Sequence, residues 1–330
     1  MSLPPNIYDQ QRRNLARTNM FMAGFVLFLL FLGLGADAFL YGSGSTPGIP
    51  ICTLAALLVG SFSAWWSIKA GDQMVLESAN ARPLDLSDPR QRVVDNVVDE
   101  MAIAAGIPKP KVYLVPDPDP NAFATGPSPE RASIAVTSGL IERLSREELQ
   151  GVIGHEMSHV RNYDTRLMTV VAALAGAILL LSDWARRGLW WGGGRRDSRD
   201  RDSGGGGALG LVFFAFWIVS IILAPIIAQI VAMAVSRERE YLADASGAEL
   251  TRNPLGLASA LQKIDDAVEP TASIKRGVAH LCIADPRGRK LNESEGAFAN
   301  LFGTHPPIAK RIELLRQMSY QSAGGAPERV

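Results

Sequence analysis

Four long stretches of this 330-residue chain carry almost no charge, and they limit the possible folds more than any other feature. The first runs from Met20 to Tyr41 and is broken only by Asp37. The second runs from Ile49 to Ile68, with Trp65 and Trp66 near its end; the third is Leu167 to Ala185 and the fourth Leu209 to Val235. Each is close to the roughly 20 residues a helix needs to cross a bilayer. Hydrocarbon offers no partners to a bare backbone, so such segments must be helical there. A mainly α membrane protein with four transmembrane helices is therefore expected. Buried helices of a large soluble core are the weaker reading, and a signal peptide fits poorly, because a polar segment precedes the first stretch and Ala36-Asp37-Ala38 is a weak cleavage site.

The uncharged segment YGSGSTPG at 41–48 reads as a turn, which makes the first two spans a hairpin with both ends on one side. Arg12, Arg13 and Arg17 precede that hairpin and Lys69 and Arg82 follow it, so that side is expected to be cytoplasmic. Between the third and fourth stretches lies GGGRRDSRDRDSGGGG (192–207), with the composition of a flexible linker. Its arginines, with Arg186 and Arg187 before it, run against the positive-inside rule if the segment faces outward. Either spans three and four cross fully, or they form a shallow hairpin.

Charge is balanced, 33 basic against 33 acidic residues, so nothing argues for a nucleic-acid partner. Cys52 lies in an apolar stretch and Cys282 in a polar one, which disfavours a disulfide and suits a reducing compartment. The sequence is expected to divide into an N-terminal cytoplasmic segment (1–19), the hairpin (20–68), a first polar part (69–166), the second pair of spans with their linker (167–235), a second polar part (236–320) and a flexible tail (321–330). Within 69–166, a helical pattern over Arg92–Ala105 stops at Gly106 and Pro108. Strand-like runs follow at Lys111–Val115, Ala122–Thr125 and Ala132–Thr137, with the turn PDPDPN between the first two. Ser145 and Glu148 form a capping box, and the helix they start meets no proline before the third span, so it is expected to run almost directly into the membrane.

That helix contains GVIGHEMSHV. His155 and His159, at i and i+4, share one helix face and can direct nitrogens at one ion. Glu156 lies about 100° around the helix, where it can reach a water at the ion's open position. H-E-x-x-H on a helix is a metalloprotease signature. A third ligand is required, and RERE at 237–240 offers Glu238 and Glu240. Glu240 and Asp244 share a helix face, so Glu240 can bind the ion while Asp244 accepts the remaining N–H of a ligand histidine.

HEMSHV, EYLAD about eighty residues later and THPPIAKRI (304–312) together closely resemble the M48 family of membrane zinc peptidases, in particular its bacterial HtpX branch. The resemblance covers nearly the whole chain. It implies a zincin-like (gluzincin) α+β catalytic domain with a small β-sheet, holding one Zn2+ per chain. It also implies Glu240, not Glu238, as third ligand, with Asp244 behind the ligands. His305 would line the site and steady an oxyanion, with Arg311 nearby. Asn121, Ala122, Phe123 and Ala124 match the edge strand on which substrate backbone adds. His280 has no counterpart and reads as structural. The long linker at 192–207 departs from many relatives.

The implied function is a zinc-dependent endopeptidase of the bacterial inner (plasma) membrane, facing the cytoplasm. Its substrates would be misfolded or damaged membrane proteins or other unfolded polypeptides, with the lipid bilayer as the other partner. A CAAX-type processing protease is disfavoured because four spans are too few for its chamber. A non-proteolytic zinc-containing adaptor or holdase is disfavoured because structural zinc normally takes four protein ligands.

Overall fold

In the computed structural model, residues 7–41, 49–192, 218–219, 237–267, 281–284 and 306–322 are described. The first helix, α1 (Ile7–Tyr41), and the second, α2 (Ile51–Ser78), are the two among these that are long and apolar enough to cross a membrane. Gly33 lies against the backbone of Thr53 and Cys52, and Gly60 against Val26 and Leu29, so the two run antiparallel. Large apolar side chains point away from the protein: Leu58 is 71 % exposed, Leu27 64 % and Phe62 58 %. Such faces suit lipid better than water. Asp37 interrupts the apolar face because it caps its neighbour: its carboxylate accepts the Cys52 N–H (2.9 Å), the Thr53 N–H (2.8 Å) and the Thr53 hydroxyl (2.7 Å). These are first-turn donors of α2, whose own Pro50 provides no side-chain cap.

α2 runs ten residues past the expected end of its span at Ile68. Val75, Leu76 and Ala79 at its end bury against Val115, Phe123 and Ala135 of the sheet, which anchors the hairpin on the polar part of the chain. Asn80, with φ +52°, then turns the backbone. A mixed sheet follows, with spatial order β1 (Arg82–Pro83), β2 (Lys111–Val115), β4 (Ser133–Thr137), β3 (Ala122–Thr125). β2 and β4 are parallel; the other pairs are antiparallel, and β1 and β3 are the two edges. Helix α3 (Pro89–Ala105) is capped by Asp88 and ends at Gly106 in the left-handed conformation. Short α4 (Ser138–Arg143) leads to α5 (Arg146–Arg161), whose capping box is formed by Ser145 and Glu148.

Contrary to expectation, α5 does not continue into the third apolar stretch. It stops at Asn162, Tyr163 takes φ +60°, and a new helix, α6 (Asp164–Gly192), begins. Neither residue is a glycine or proline, so no helix-breaking residue marks the turn in the sequence. α6 holds the expected third span and packs along α1 through Val170 and Leu174 against Phe25 and Leu29. The fourth expected span and the linker lie outside the described residues, apart from 218–219. The second polar part supplies α7 (Arg237–Thr251), α8 (Pro254–Asp265) and α9 (Ile308–Ser322). One core joins them to the sheet and to α3 and α5. α5 and α7 cross at Gly154 and Gly247, and a Cβ on Gly247 would sit 2.8 Å from the His155 nitrogen.

Candidate metal centre

That close crossing brings the two motifs together. α5 is buried without interruption from Gly151 to Val160, so His155, Glu156 and His159 all project into the interior. α7 lays Glu240 across them. The Nε2 atoms of His155 and His159 are 3.2 Å apart, and Glu240 carboxylate oxygens lie 3.6 and 3.5 Å from them, respectively. Two ligands bound at about 2.0–2.1 Å to a tetrahedral ion are about 3.3 Å apart, so these three donors match one coordination sphere. Among the described residues they form the one group of this kind.

Tautomers support the same reading. His155 Nδ1 is 2.9 Å from Asp244 Oδ1, and His159 Nδ1 is 3.2 Å from Asp164 Oδ2. A carboxylate can only accept, so each Nδ1 carries a hydrogen and each neutral ring turns its Nε2 lone pair toward the other. Two lone pairs at 3.2 Å repel unless a proton or a cation lies between them. Asp244 is itself gripped by Arg311, whose Nε and Nη2 donate to its two oxygens at 2.8 and 2.7 Å. The Arg311 Nη1 donates to the Ile283 carbonyl at 2.9 Å and lies 3.4 Å from Glu240.

Electrostatics follow from this crowding. Burial pushes the Glu156 carboxyl up to about 7, helped by the charge of Glu240 and opposed by His159 and the Ala124 N–H. Burial alone would lower His159, but Asp164 and Glu240 outweigh it and lift the imidazole to about 10. For His155 burial wins over Asp244, and its pKa falls. Burial would raise Asp244, yet Arg311 holds it below the usual carboxylate range. A divalent ion held here would be balanced, together with Arg311 and Arg239, by the carboxylates of Glu156, Glu240, Asp244 and Asp164. The donor set fits a divalent metal.

Among the described residues, Glu156 is an acid that lies beside this donor set without belonging to it. Its Oε1 is buried and has no hydrogen-bond partner among the described residues. Ala124 lies on β3, beside Glu156. The outward Ala122 carbonyl of that edge accepts the Ile283 N–H at 2.9 Å, and the Asn121 amide donates to the Ala284 carbonyl at 3.2 Å. Phe123 is buried and bridges to Cys282. The structure therefore brings together His155, His159, Glu240, Glu156, Asp244, Arg311 and the 121–124 strand. His305, His280 and the Glu238 side chain lie outside the described residues. Asp164 was missed by sequence reasoning. It follows His159 by five residues, and only the break at Tyr163 turns it back toward the ring.

A buried acid beside a His-His-Glu donor set, next to an edge strand, is the equipment of a metallopeptidase. The family description "Peptidase family M48" matches residues 88–319. "Protease HtpX homolog" of Caldanaerobacter subterraneus subsp. tengcongensis is 42 % identical over 314 residues, covering 95 % of this chain and 98 % of that protein. The protein of the same name from Levilactobacillus brevis is 45 % identical over 313 residues, covering 94 % of this chain and all of its own. The crystal structure of S. mikatae Ste24p is a looser likeness, with TM-score 0.47 and 16 % identity over 94 % of this chain and 66 % of that one. The chain belongs to peptidase family M48, and its nearest character is that of an HtpX-like membrane metalloprotease.

Proposed function

We propose that this protein is a zinc endopeptidase of the bacterial plasma membrane that cleaves misfolded or damaged membrane proteins at the cytoplasmic face. The observation that carries the reading is the spacing of 3.2–3.6 Å among the His155, His159 and Glu240 donors, with the unpartnered Glu156 oxygen beside them. Four spans fit the apolar stretches, two of them being α1 and α2. The hairpin and α6 both lead directly from apolar helix to buried site, which suits substrates presented at a membrane surface. Arg12, Arg13, Arg17, Lys69 and Arg82 favour the cytoplasm for that surface.

When bound, zinc supplies Lewis acidity to the scissile carbonyl and to the attacking water. His155, His159 and Glu240 would hold it, and Asp244 and Asp164 would fix both imidazoles in the ligand tautomer. Glu156 takes a proton from the attacking water as its oxygen adds to the carbonyl carbon. It then delivers that proton to the nitrogen as the peptide bond breaks. Substrate backbone would align along β3 at its Ala124 end, next to Glu156, since Ala122 already accepts a hydrogen bond from Ile283. His305 is assigned the oxyanion and Arg311 the support of Asp244 and Glu240.

The test is degradation of a panel of membrane proteins by purified wild type and Glu156→Gln, with zinc quantified in both. We expect one zinc per chain in each and a loss of cleavage of about 10²–10⁴-fold in the variant. Equally active zinc-free wild type would sink the proposal, and zinc binding without any hydrolysis would favour an adaptor.

A further inference from the structure

The buried stripe of α1 is apolar along most of its length but begins with Asn14 and Thr18, both almost wholly inaccessible. A buried amide is costly unless its hydrogens are used. Asn14 uses both: Nδ2 donates to Asp164 Oδ1 at 2.7 Å and to the Asn162 carbonyl at 2.9 Å. The other Asp164 oxygen is the one that holds His159 Nδ1. One turn earlier, Gln11 Nε2 donates to the Arg161 carbonyl at 2.8 Å. Gln11 thus holds only the end of α5, whereas Asn14 holds both the break and Asp164, in the conformation that turns this carboxylate back onto the histidine. Arg239 Nη1 also reaches Asp164 Oδ1, but at 3.3 Å and from α7, so it does not tie the break to α1.

We propose that Asn14 is a positioning residue of the metal centre: it fixes Asp164, which holds His159 as a ligand, so metal affinity depends on the seating of the first membrane helix. The inference rests on reading His155, His159 and Glu240 as the metal site. Neither hydrogen of the amide can be supplied by an aliphatic side chain, and an aspartate would set a second carboxylate against Asp164. The polar start of α1 then has a purpose beyond packing, because it transmits the position of a span to a ligand about 150 residues away in sequence.

The test uses the full chain in nanodiscs, carrying Glu156→Gln so that self-digestion cannot intervene. Zinc affinity is measured by chelator competition, and ligand geometry by the visible absorption of the cobalt(II) form. We expect Asn14→Leu, and the gentler Asn14→Ala, to weaken zinc binding about tenfold and to alter the cobalt spectrum. In an Asp164→Asn background the same substitutions should add nothing, and Gln11→Ala, which spares Asp164, should leave affinity unchanged. Unchanged affinity and spectrum in both Asn14 variants would overturn the inference. So would a loss that persists with Asp164→Asn, or one that Gln11→Ala matches. If the Glu156→Gln parent takes up no zinc at all, the site reading itself falls, which is a separate outcome.

Discussion

Arg311 is fully buried and its guanidinium is committed to Asp244 in a two-point grip, with Glu240 close by. Removing one member of such a pair leaves the other as an uncompensated charge. Arg311→Met should therefore destabilise the protein by about 3–5 kcal/mol, read as a fall in the thermal midpoint. It should also weaken metal binding, because an Asp244 that has lost Arg311 holds His155 less firmly. Arg311→Lys should recover only part of the loss, since an ammonium cannot match both carboxylate oxygens in one plane. A midpoint unchanged in the methionine variant would contradict the assignment. The two histidines, Glu156 and the pairing of Glu240 with Asp244 could be picked out because their relations are local, one turn or less apart on a helix, whereas the choice of Glu240 over Glu238 came from the resemblance. Asp164 and Asn14 were not, because their partnership spans 150 positions and depends on a backbone turn that neither announces.

Among the elements, α5 is fixed at its start by a side chain and further along by a close backbone crossing, and each contact makes a separate prediction. At its start Glu148 accepts the Ser145 N–H at 2.7 Å, the Ser259 hydroxyl at 2.6 Å and the Lys263 ammonium at 2.7 Å, linking α5 to α8. Burial would raise its pKa, but Lys263, Ser259 and Ser145 outweigh that and hold it below the ordinary 4.5. The folded pKa being depressed, this contribution is complete above about 4.5 and is lost as pH falls through the folded value. Glu148→Gln should cost about 1–3 kcal/mol at pH 7, and the gap to wild type should close on acidification. A gap independent of pH would refute it. Further along, Gly247→Ala would put a methyl group against the His155 backbone, which cannot yield as a side chain could. α7 must retreat and take Glu240 with it, so stability should drop by about 1–3 kcal/mol and zinc affinity with it. Chelator competition that finds full affinity would show that α7 can shift without moving the ligand. The capping box and the strands β2 to β4 were visible as local patterns, whereas the left-handed Tyr163 was not, since a bulky residue there is held by its surroundings and not by its own preference.

At the scale of the whole molecule, the metal site joins a helix from the first polar part to a helix from the second, with expected spans three and four between them in sequence. An ion bound only by the folded arrangement should stabilise it by mass action. At a thousandfold excess over Kd the gain is about 4 kcal/mol, so chelation should lower the thermal midpoint by several degrees and expose 237–251 to an added protease. Unaltered protease sensitivity after complete metal removal would show that packing alone holds α7 to α5. Asp37 bears on how such a molecule is made. A carboxylate emerging at the far end of the first apolar helix has no partner until Cys52 and Thr53 have been synthesised, 15 and 16 residues later. Up to that moment the first helix carries an exposed anion that hydrocarbon rejects, and afterwards the anion is the clasp between two helices. With α1 and α2 as spans, as proposed, insertion is made a property of the pair: the first helix can rest in the bilayer in its final position only after the second has begun to fold.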